Sequence, residues 1–145
     1  MLLSNNLSIP RVAVLLAAYN GVKWLATQLR SVLDQQGVSV TIFVSVDNSS
    51  DGTEALVEEW SRNDSRVLPL PYGSSLGGAA KNFYHLLRQV DFSSFDYISF
   101  ADQDDIWLPG KLKRATERLI EADADGYSSD VVAFWESGRS TYIKK

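Results

Sequence analysis

The 145-residue chain contains no cysteine and a single histidine. Without cysteine there is no disulfide frame, no thiolate metal site and no thiol nucleophile, and such usage fits a reducing compartment. An excess of positive charge is also missing, since 18 acidic residues stand against 14 Lys and Arg for a formal charge of −4. A nucleic-acid surface needs a basic stripe, and this balance argues against one. The apolar run Val12–Ala18 after Arg11 has seven residues, far short of the roughly 20 that a membrane-spanning helix requires. With small residues at its end the run imitates a signal-peptide core. A buried parallel strand accounts for it equally well, and the turn that follows favours the strand. The glycine patterns GxGxxG and GxxxxGK[ST] do not occur, so dinucleotide and P-loop phosphate sites lack support.

What is present is ordinary for one soluble globular domain: 45% hydrophobic and 22% charged residues, in a length that allows a sizeable core. Residues 1–9 read as a loose lead-in. Val12–Ala18, apolar on both faces, predicts a central parallel strand. Tyr19-Asn20-Gly21 turns the chain into a helix over Val22–Gln36, stopped by Gly37, with Trp24, Leu25, Leu29, Val32 and Leu33 on its apolar face. Val38–Val46, rich in β-branched residues, predicts the second strand. The polar run Asp47–Thr53 offers several helix caps before a helix through Trp60. Val67–Leu70 reads as a short strand near an edge, because of Pro69. Pro71–Gly78, with Gly73, Gly77 and Gly78, opens a helix over Ala79–Val90 with Phe83, Leu86, Leu87 and Val90 on one face. His85 on that helix reads as a surface or packing residue. A fourth strand, Tyr97–Ala101, precedes a helix over Pro109–Ala122, whose first turn suits Pro109. Leu112, Ala115, Leu119 and Ile120 form its apolar side, and Lys111, Lys113, Arg114 and Arg118 its solvated face. Val131–Trp135 and Thr141–Ile143 read as a hairpin.

Alternating strands and helices predict an α/β fold, a mostly parallel sheet with helices on both faces. Ligands bind such sheets at the carboxyl ends of the strands. Three polar sets fall there: Tyr19-Asn20, Asp47 with Ser49, and Asp102-Gln103-Asp104-Asp105. Three carboxylates within four residues repel one another and raise each other's pKa unless a positive charge sits among them. A hard divalent cation carrying a phosphate-bearing ligand meets that need. A solvated acidic turn ahead of a helix meets it as well, and the cluster by itself leaves both readings open. Alignment with Tyr19 and Asp47 along one edge favours the cation and diphosphate. Tyr19 offers a flat ring that could stack a base, or an interfacial tyrosine with a wet hydroxyl. Asp47 could accept a hydrogen bond from a base edge, or serve the turn. Ser49, Ser50 and Asp51 read first as caps.

Val14-Leu15-Leu16-Ala17-Ala18-Tyr19-Asn20-Gly21, Asp47-Asn48-Ser49-Ser50-Asp51-Gly52-Thr53 and Asp102-Gln103-Asp104-Asp105-Ile106-Trp107-Leu108-Pro109 together resemble the family 2 glycosyltransferases. Asp102–Trp107 and the segment Leu76-Gly77-Gly78-Ala79-Ala80-Lys81-Asn82-Phe83 are most similar to a bacterial rhamnosyltransferase-like branch. The resemblance implies a GT-A (Rossmann-like) fold and transfer of a sugar, with dTDP-rhamnose as the branch's donor, to an acceptor hydroxyl in cell-surface polysaccharide synthesis. It implies that Tyr19 stacks on the base and Asp47 bonds its imide nitrogen. Asp104 would hold Mn²⁺ or Mg²⁺ against the diphosphate. Asp102 would lie by the ribose or the metal, with Asp105 as a neighbour. Asn20, Ser49, Lys81 and Asn82 complete the implied nucleotide-binding set. The implied partners are a nucleotide-diphosphate sugar and a saccharide or lipid-linked saccharide acceptor, with no nucleic acid. The implied location is cytoplasmic, with peripheral association at the inner face of the plasma membrane for the full-length protein.

Two positions depart from the family pattern. Val46 stands where a first acid is usual, leaving Asp47 alone, and Ala18 stands where Thr is common. No residue matches the acid that deprotonates the acceptor, which the resemblance puts downstream of Lys145. Residues 1–145 are therefore expected to be the nucleotide-sugar-binding portion of a longer enzyme, inactive by itself. Two other readings remain: a nucleotide-binding module without transfer activity, and a Mg²⁺-dependent phosphoacceptor domain of the receiver type. The latter wants acids after the first strand, where this chain has Ala17-Ala18-Tyr19.

Overall fold

A computed structural model describes residues 8–145; most of the expected lead-in, residues 1–7, lies outside the described residues. The chain divides into two compact units, one through Lys113 and one from Arg114 to Lys145.

The first unit holds a four-stranded sheet. Its strands are β1 (Arg11–Ala18), β2 (Ser39–Val46), β3 (Val67–Pro69) and β4 (Tyr97–Asp102). All pair in parallel, in the order β3-β2-β1-β4. β1 is flanked on both sides, which is why its sequence is apolar throughout: every residue from Val12 to Ala18 is buried. Val12, Val14, Leu16 and Ala18 join one core cluster with Leu25, Leu29 and Val32 of α1 (Val22–Leu33) and Val57 of α2 (Thr53–Asn63). Leu15 and Ala17 face the other way, against Leu86 and Val90 at α3 (Ala79–Gln89). Strand alternation thus supplies each face of the sheet with its own core. β3 lies at the edge, where Pro69 removes no interior ladder bond. At the amino ends of the strands, Arg11 and Asp96 exchange backbone and side-chain hydrogen bonds.

α1 stops at Leu33, three residues earlier than its sequence pattern predicts. The residues beyond it are used for another purpose. Gln36 N–H donates to Pro109 O at 2.8 Å. Gln35 Nε2 donates to Leu108 O at 2.7 Å, and Gln35 Oε1 accepts from Leu112 N–H at 2.9 Å. The same stitching delays α4, which begins at Lys111 and runs to Ala122. Pro109 turns its carbonyl toward α1 and stays outside the helix. Buried Trp107 completes this corner, its N–H bonded to Ser31 Oγ at 3.0 Å.

Three residues assigned to apolar helix faces, Trp24, Leu87 and Ile120, are exposed. Polar Gln28 and Asn82 are buried instead on α1 and α3. In the second unit, β5 (Val131–Phe134) and β6 (Ser140–Ile143) form the expected antiparallel hairpin, joined also by a Tyr142–Asp130 side-chain hydrogen bond. No helix among the described residues is long and apolar enough to cross a membrane.

Gln28 yields a stability test. Its Nε2 is buried without a partner, while Ser31 Oγ reaches both its Oε1 and its backbone carbonyl at 2.9 Å. A buried unpaired donor costs about 1–3 kcal/mol. Gln28→Met, similar in volume, is expected to raise unfolding free energy by about 1 kcal/mol in a urea melt, and a loss of that size would contradict the account.

Candidate functional site

After β3 the chain crosses back beneath the sheet through α3 and adds β4 on the far side of β1. Strand order therefore reverses between β1 and β4, the place where open α/β sheets bind ligands. The register there pairs Ala18 with Val46 and Ala17 with Asp102. The next residues of all three strands, Tyr19, Asp47 and Gln103, consequently emerge side by side.

A cleft of about 600 Å³ opens at this point. Tyr19, Asp47, Asn82, Asp102 and Asp104 line it, as do Ala17, Ala18, Asn48, Ser75, Gly77, Gly78, Ala79 and Gln103. Five of the residues singled out in the sequence are thus brought together. Asn20, Ser49 and Lys81 fall outside the lining. Asn20 and Ser49 brace the turn: Asn20 Oδ1 accepts from Ser50 N–H at 2.8 Å, and Ser49 Oγ accepts from Asn20 N–H at 3.0 Å. Asn20 has φ 44°, a left-handed conformation that asparagine tolerates better than most residues.

The turn expected to cap α2 does more than cap. Gly52, with φ 94°, is the residue before the helix and carries no side-chain cap. Asp51 Oδ1 takes both the N–H of Thr53 at 3.0 Å and its hydroxyl at 2.5 Å, while Oδ2 takes Val22 N–H at 3.0 Å. Thr53 Oγ1 in turn accepts from Gly21 N–H at 2.9 Å. The starts of α1 and α2 are therefore fastened to each other. Burial is the largest influence on Asp51 and would raise its pKa, but these bonds outweigh it and hold the carboxyl below its ordinary range.

Asp47 is only 7% exposed. Its carboxylate accepts N–H groups from Asn48 and Leu76, each at 2.8 Å, and from Gly77 at 2.9 Å. Burial pushes its pKa up most strongly, yet the N–H donors of Leu76, Gly77, Asn48 and Gly78 together bring it below the ordinary carboxylate value. The glycine loop is thereby tied over the end of β2. Gly77 and Gly78, at φ 78° and 147°, make the turn that aims two successive amides at one carboxylate. Asn82 reaches up from α3, donating to Ala18 O at 3.3 Å and Ser45 O at 3.1 Å, with Oδ1 left unpaired. Its two acceptors fix which end of the amide is nitrogen.

Tyr19 stands 56% exposed at the rim. Asp102 and Asp104 are exposed, with half-buried Gln103 between them. Among the described residues no three acidic, His or Cys side chains converge into a ready metal cage. The donor set nonetheless fits a hard cation of the magnesium type, which takes one or two carboxylates and completes its shell with phosphate and water. Sequence reasoning included Gln103 in the polar set at the end of β4 but gave it no role of its own. It overlooked Asn48 and Ser75, which have no signal beyond their place in turns.

Known proteins complete the picture. The profile of "Glycosyl transferase family 2" matches residues 13–142. "dTDP-rhamnosyl transferase RfbG" of Shigella flexneri is 42% identical over 131 residues, covering 90% of this chain and 45% of that protein. "UDP-Glc:alpha-D-GlcNAc-diphosphoundecaprenol beta-1,3-glucosyltransferase WfgD" of Escherichia coli is 27% identical over 110 residues, covering 76% of this chain and 41% of its own length. The chain thus spans less than half of either relative. Among solved structures, S. aureus TarS 1–349 in complex with UDP-GlcNAc superposes with a TM-score of 0.66 at 24% identity, over 86% of this chain and 33% of that one. A mannosyltransferase from Pyrobaculum calidifontis in complex with GDP-Man and Mn²⁺ gives 0.66 at 21%, over 86% and 35%. At those identities the likeness establishes the fold, GT-A, as the sequence motifs implied. Matched across residues 13–142 and 42% identical to a relative along 90% of its length, the chain belongs to glycosyl transferase family 2.

Proposed function

We propose that the cleft between β1, β2 and β4 is the donor site of a metal-dependent glycosyltransferase, and that the parent enzyme moves a sugar from a nucleoside diphosphate to an acceptor hydroxyl in surface polysaccharide synthesis. The observation that carries this reading is the convergence of Tyr19, Asp47, Asp102 and Asp104 on one cleft at the switch point of the sheet. A flat ring at one end and carboxylates at the other match the two ends of a nucleoside diphosphate. Tyr19 is the stacking platform for the base. Asp47 faces the base edge, its carboxylate oriented by the N–H groups of Asn48, Leu76, Gly77 and Gly78. Asp104, with Asp102 beside it, would hold Mn²⁺ or Mg²⁺, and that cation supplies charge neutralisation at the departing diphosphate. Gly77 and Gly78 keep the wall of the cleft free of side chains. Asn20, Ser49 and Lys81 belong to the surround.

The Shigella relative supports dTDP-rhamnose as the donor. The E. coli relative, named for a diphosphoundecaprenol substrate, supports a lipid-linked saccharide as acceptor. Work on such an acceptor fits a cytoplasmic enzyme resting at the inner face of the plasma membrane. Residues 1–145 are read as the donor-binding portion, and no residue within them is assigned as the base for the acceptor.

Titration calorimetry of the 145-residue chain with dTDP, UDP and GDP, each with and without Mn²⁺, tests the reading. Mn²⁺-dependent binding is expected, tightest for dTDP, and failure of every nucleotide to bind would refute the donor site. Asp104→Ala is expected to remove the metal-dependent part, a loss of tenfold or more, about 1.4 kcal/mol. Tyr19→Ala should weaken binding with or without metal by about 1–3 kcal/mol.

The Asp47 carboxylate makes a separate prediction about pH. Its folded pKa lies below the unfolded value of about 3.9. The stability it contributes is therefore complete above that unfolded pKa and is lost as pH falls through the folded one. Asp47→Asn should lower the melting temperature at pH 7 and flatten the decline on acidification. An unchanged acid profile in the variant would show that the loop does not depend on this charge.

A further inference from the structure

We propose that Gln103 is a positioning residue of the donor site, fixing the base platform at Tyr19 relative to the acids on either side of Gln103 itself. The inference rests on the donor-site reading above. β4 ends as a strand at Asp102, whose register partner is Ala17. Beyond that pair the main chain of β4 turns away, and the ladder alongside β1 would stop two residues short of Tyr19. The Gln103 side chain takes over. Its Oε1 accepts from Tyr19 N–H at 2.8 Å, and its Nε2 donates to Tyr19 C=O at 3.0 Å. A carboxamide is the chemical copy of a peptide group, with one acceptor and a donor in one plane, so it extends the sheet where backbone no longer can. Glutamate lacks the donor, methionine lacks both, and asparagine is one methylene shorter.

The neighbouring glycine bears the mark of this arrangement. Gly21 has φ −109° and ψ 10°, which need no glycine. Its reason is space: a Cβ there would overlap Gln103 Oε1 and stand 2.6 Å from Cδ. Gly21 and Gln103, 82 positions apart in the sequence, are one structural unit.

The functional consequence follows from the two-ended ligand. Contacts to the base and to the metal-bound diphosphate add fully only if both ends of the site are held at a fixed separation before binding. Tyr19 carries one end; Asp102 and Asp104, the sequence neighbours of Gln103, carry the other. The clamp joins them, and neither a base alone nor a diphosphate alone would register its loss.

The test uses the 145-residue chain and three probes: dTDP with Mn²⁺, inorganic pyrophosphate with Mn²⁺, and thymidine. Gln103→Ala and Gln103→Met are each expected to weaken dTDP·Mn²⁺ roughly tenfold, while pyrophosphate·Mn²⁺ and thymidine change less than twofold. Gly21→Ala is expected to reproduce that loss, and in the Gln103→Ala background to add nothing, because the clash is gone. Amide exchange of Tyr19 should quicken at least tenfold in Gln103→Ala. Unchanged dTDP·Mn²⁺ affinity, equal losses for all three probes, or additive effects of the two substitutions would each overturn the proposal. If the wild-type chain binds no dTDP·Mn²⁺, the donor-site reading fails and the functional coupling fails with it. If wild type binds and Gln103→Met binds equally, only the coupling fails.

Discussion

The arrangement at the carboxyl end of the sheet depends on how the chain is held between Tyr19 and Val22. In those four residues β1 ends and α1 begins, so neither element's ladder can satisfy the backbone. Every main-chain N–H from Tyr19 to Val22 is instead bonded to a side chain: Gln103 to Tyr19, Ser49 to Asn20, Thr53 to Gly21 and Asp51 to Val22. Gly21 is buried, where an unpaired peptide group is costly, and two remote segments share the task of holding it and its exposed neighbours. The turn is thus fixed by residues from the ends of β2 and β4. Those are the strands that bring Asp47 and Asp102 to the cleft, so the scaffold that sets the turn also sets the site.

Much of this was readable in advance because it repeats. Burial of β1 on both faces, the amphipathic helices and the alternation of elements are periodic signals, and periodic signals survive ignorance of tertiary contacts. The convergence of Tyr19, Asp47 and the acidic cluster was readable too, since parallel topology sends every strand's carboxyl end to one edge. The misplaced helix ends have a different origin. Gln35, Gln36 and Pro109 carry local signals that favour helix, but their polar groups bond across the corner between α1 and α4. A contact between residues more than 70 positions apart leaves no trace in a local window.

The same limit applies to the polar residues around the site. Ser49, Asn20 and Asp51 belong to residue types used both for caps and for ligands, and only geometry separates the uses. All three spend their side chains on the turn. Gln103 was hidden for the opposite reason. Flanked by acids whose charges drew the argument, it received no role of its own, although its amide is the one side chain there that can both give and take a hydrogen bond with a peptide. Gly21 looked like a turn glycine, but its φ is negative and its absent side chain makes room for Gln103.

A division of labour follows. The groups that hold the cleft together are amides, hydroxyls and two carboxylates, Asp47 and Asp51, whose charges are met by N–H and O–H donors. Tyr19, Asp102 and Asp104, which line the cleft, are by contrast exposed. A structural metal would call for a closed, buried set of ligands, because a resident ion must satisfy its shell from the protein. Open carboxylates beside a rigid turn suit a cation that arrives with its ligand and leaves with the product. The fold therefore spends its buried polar interactions on geometry, and under the proposed donor-site reading its exposed carboxylates stay open to a cation that accompanies the ligand.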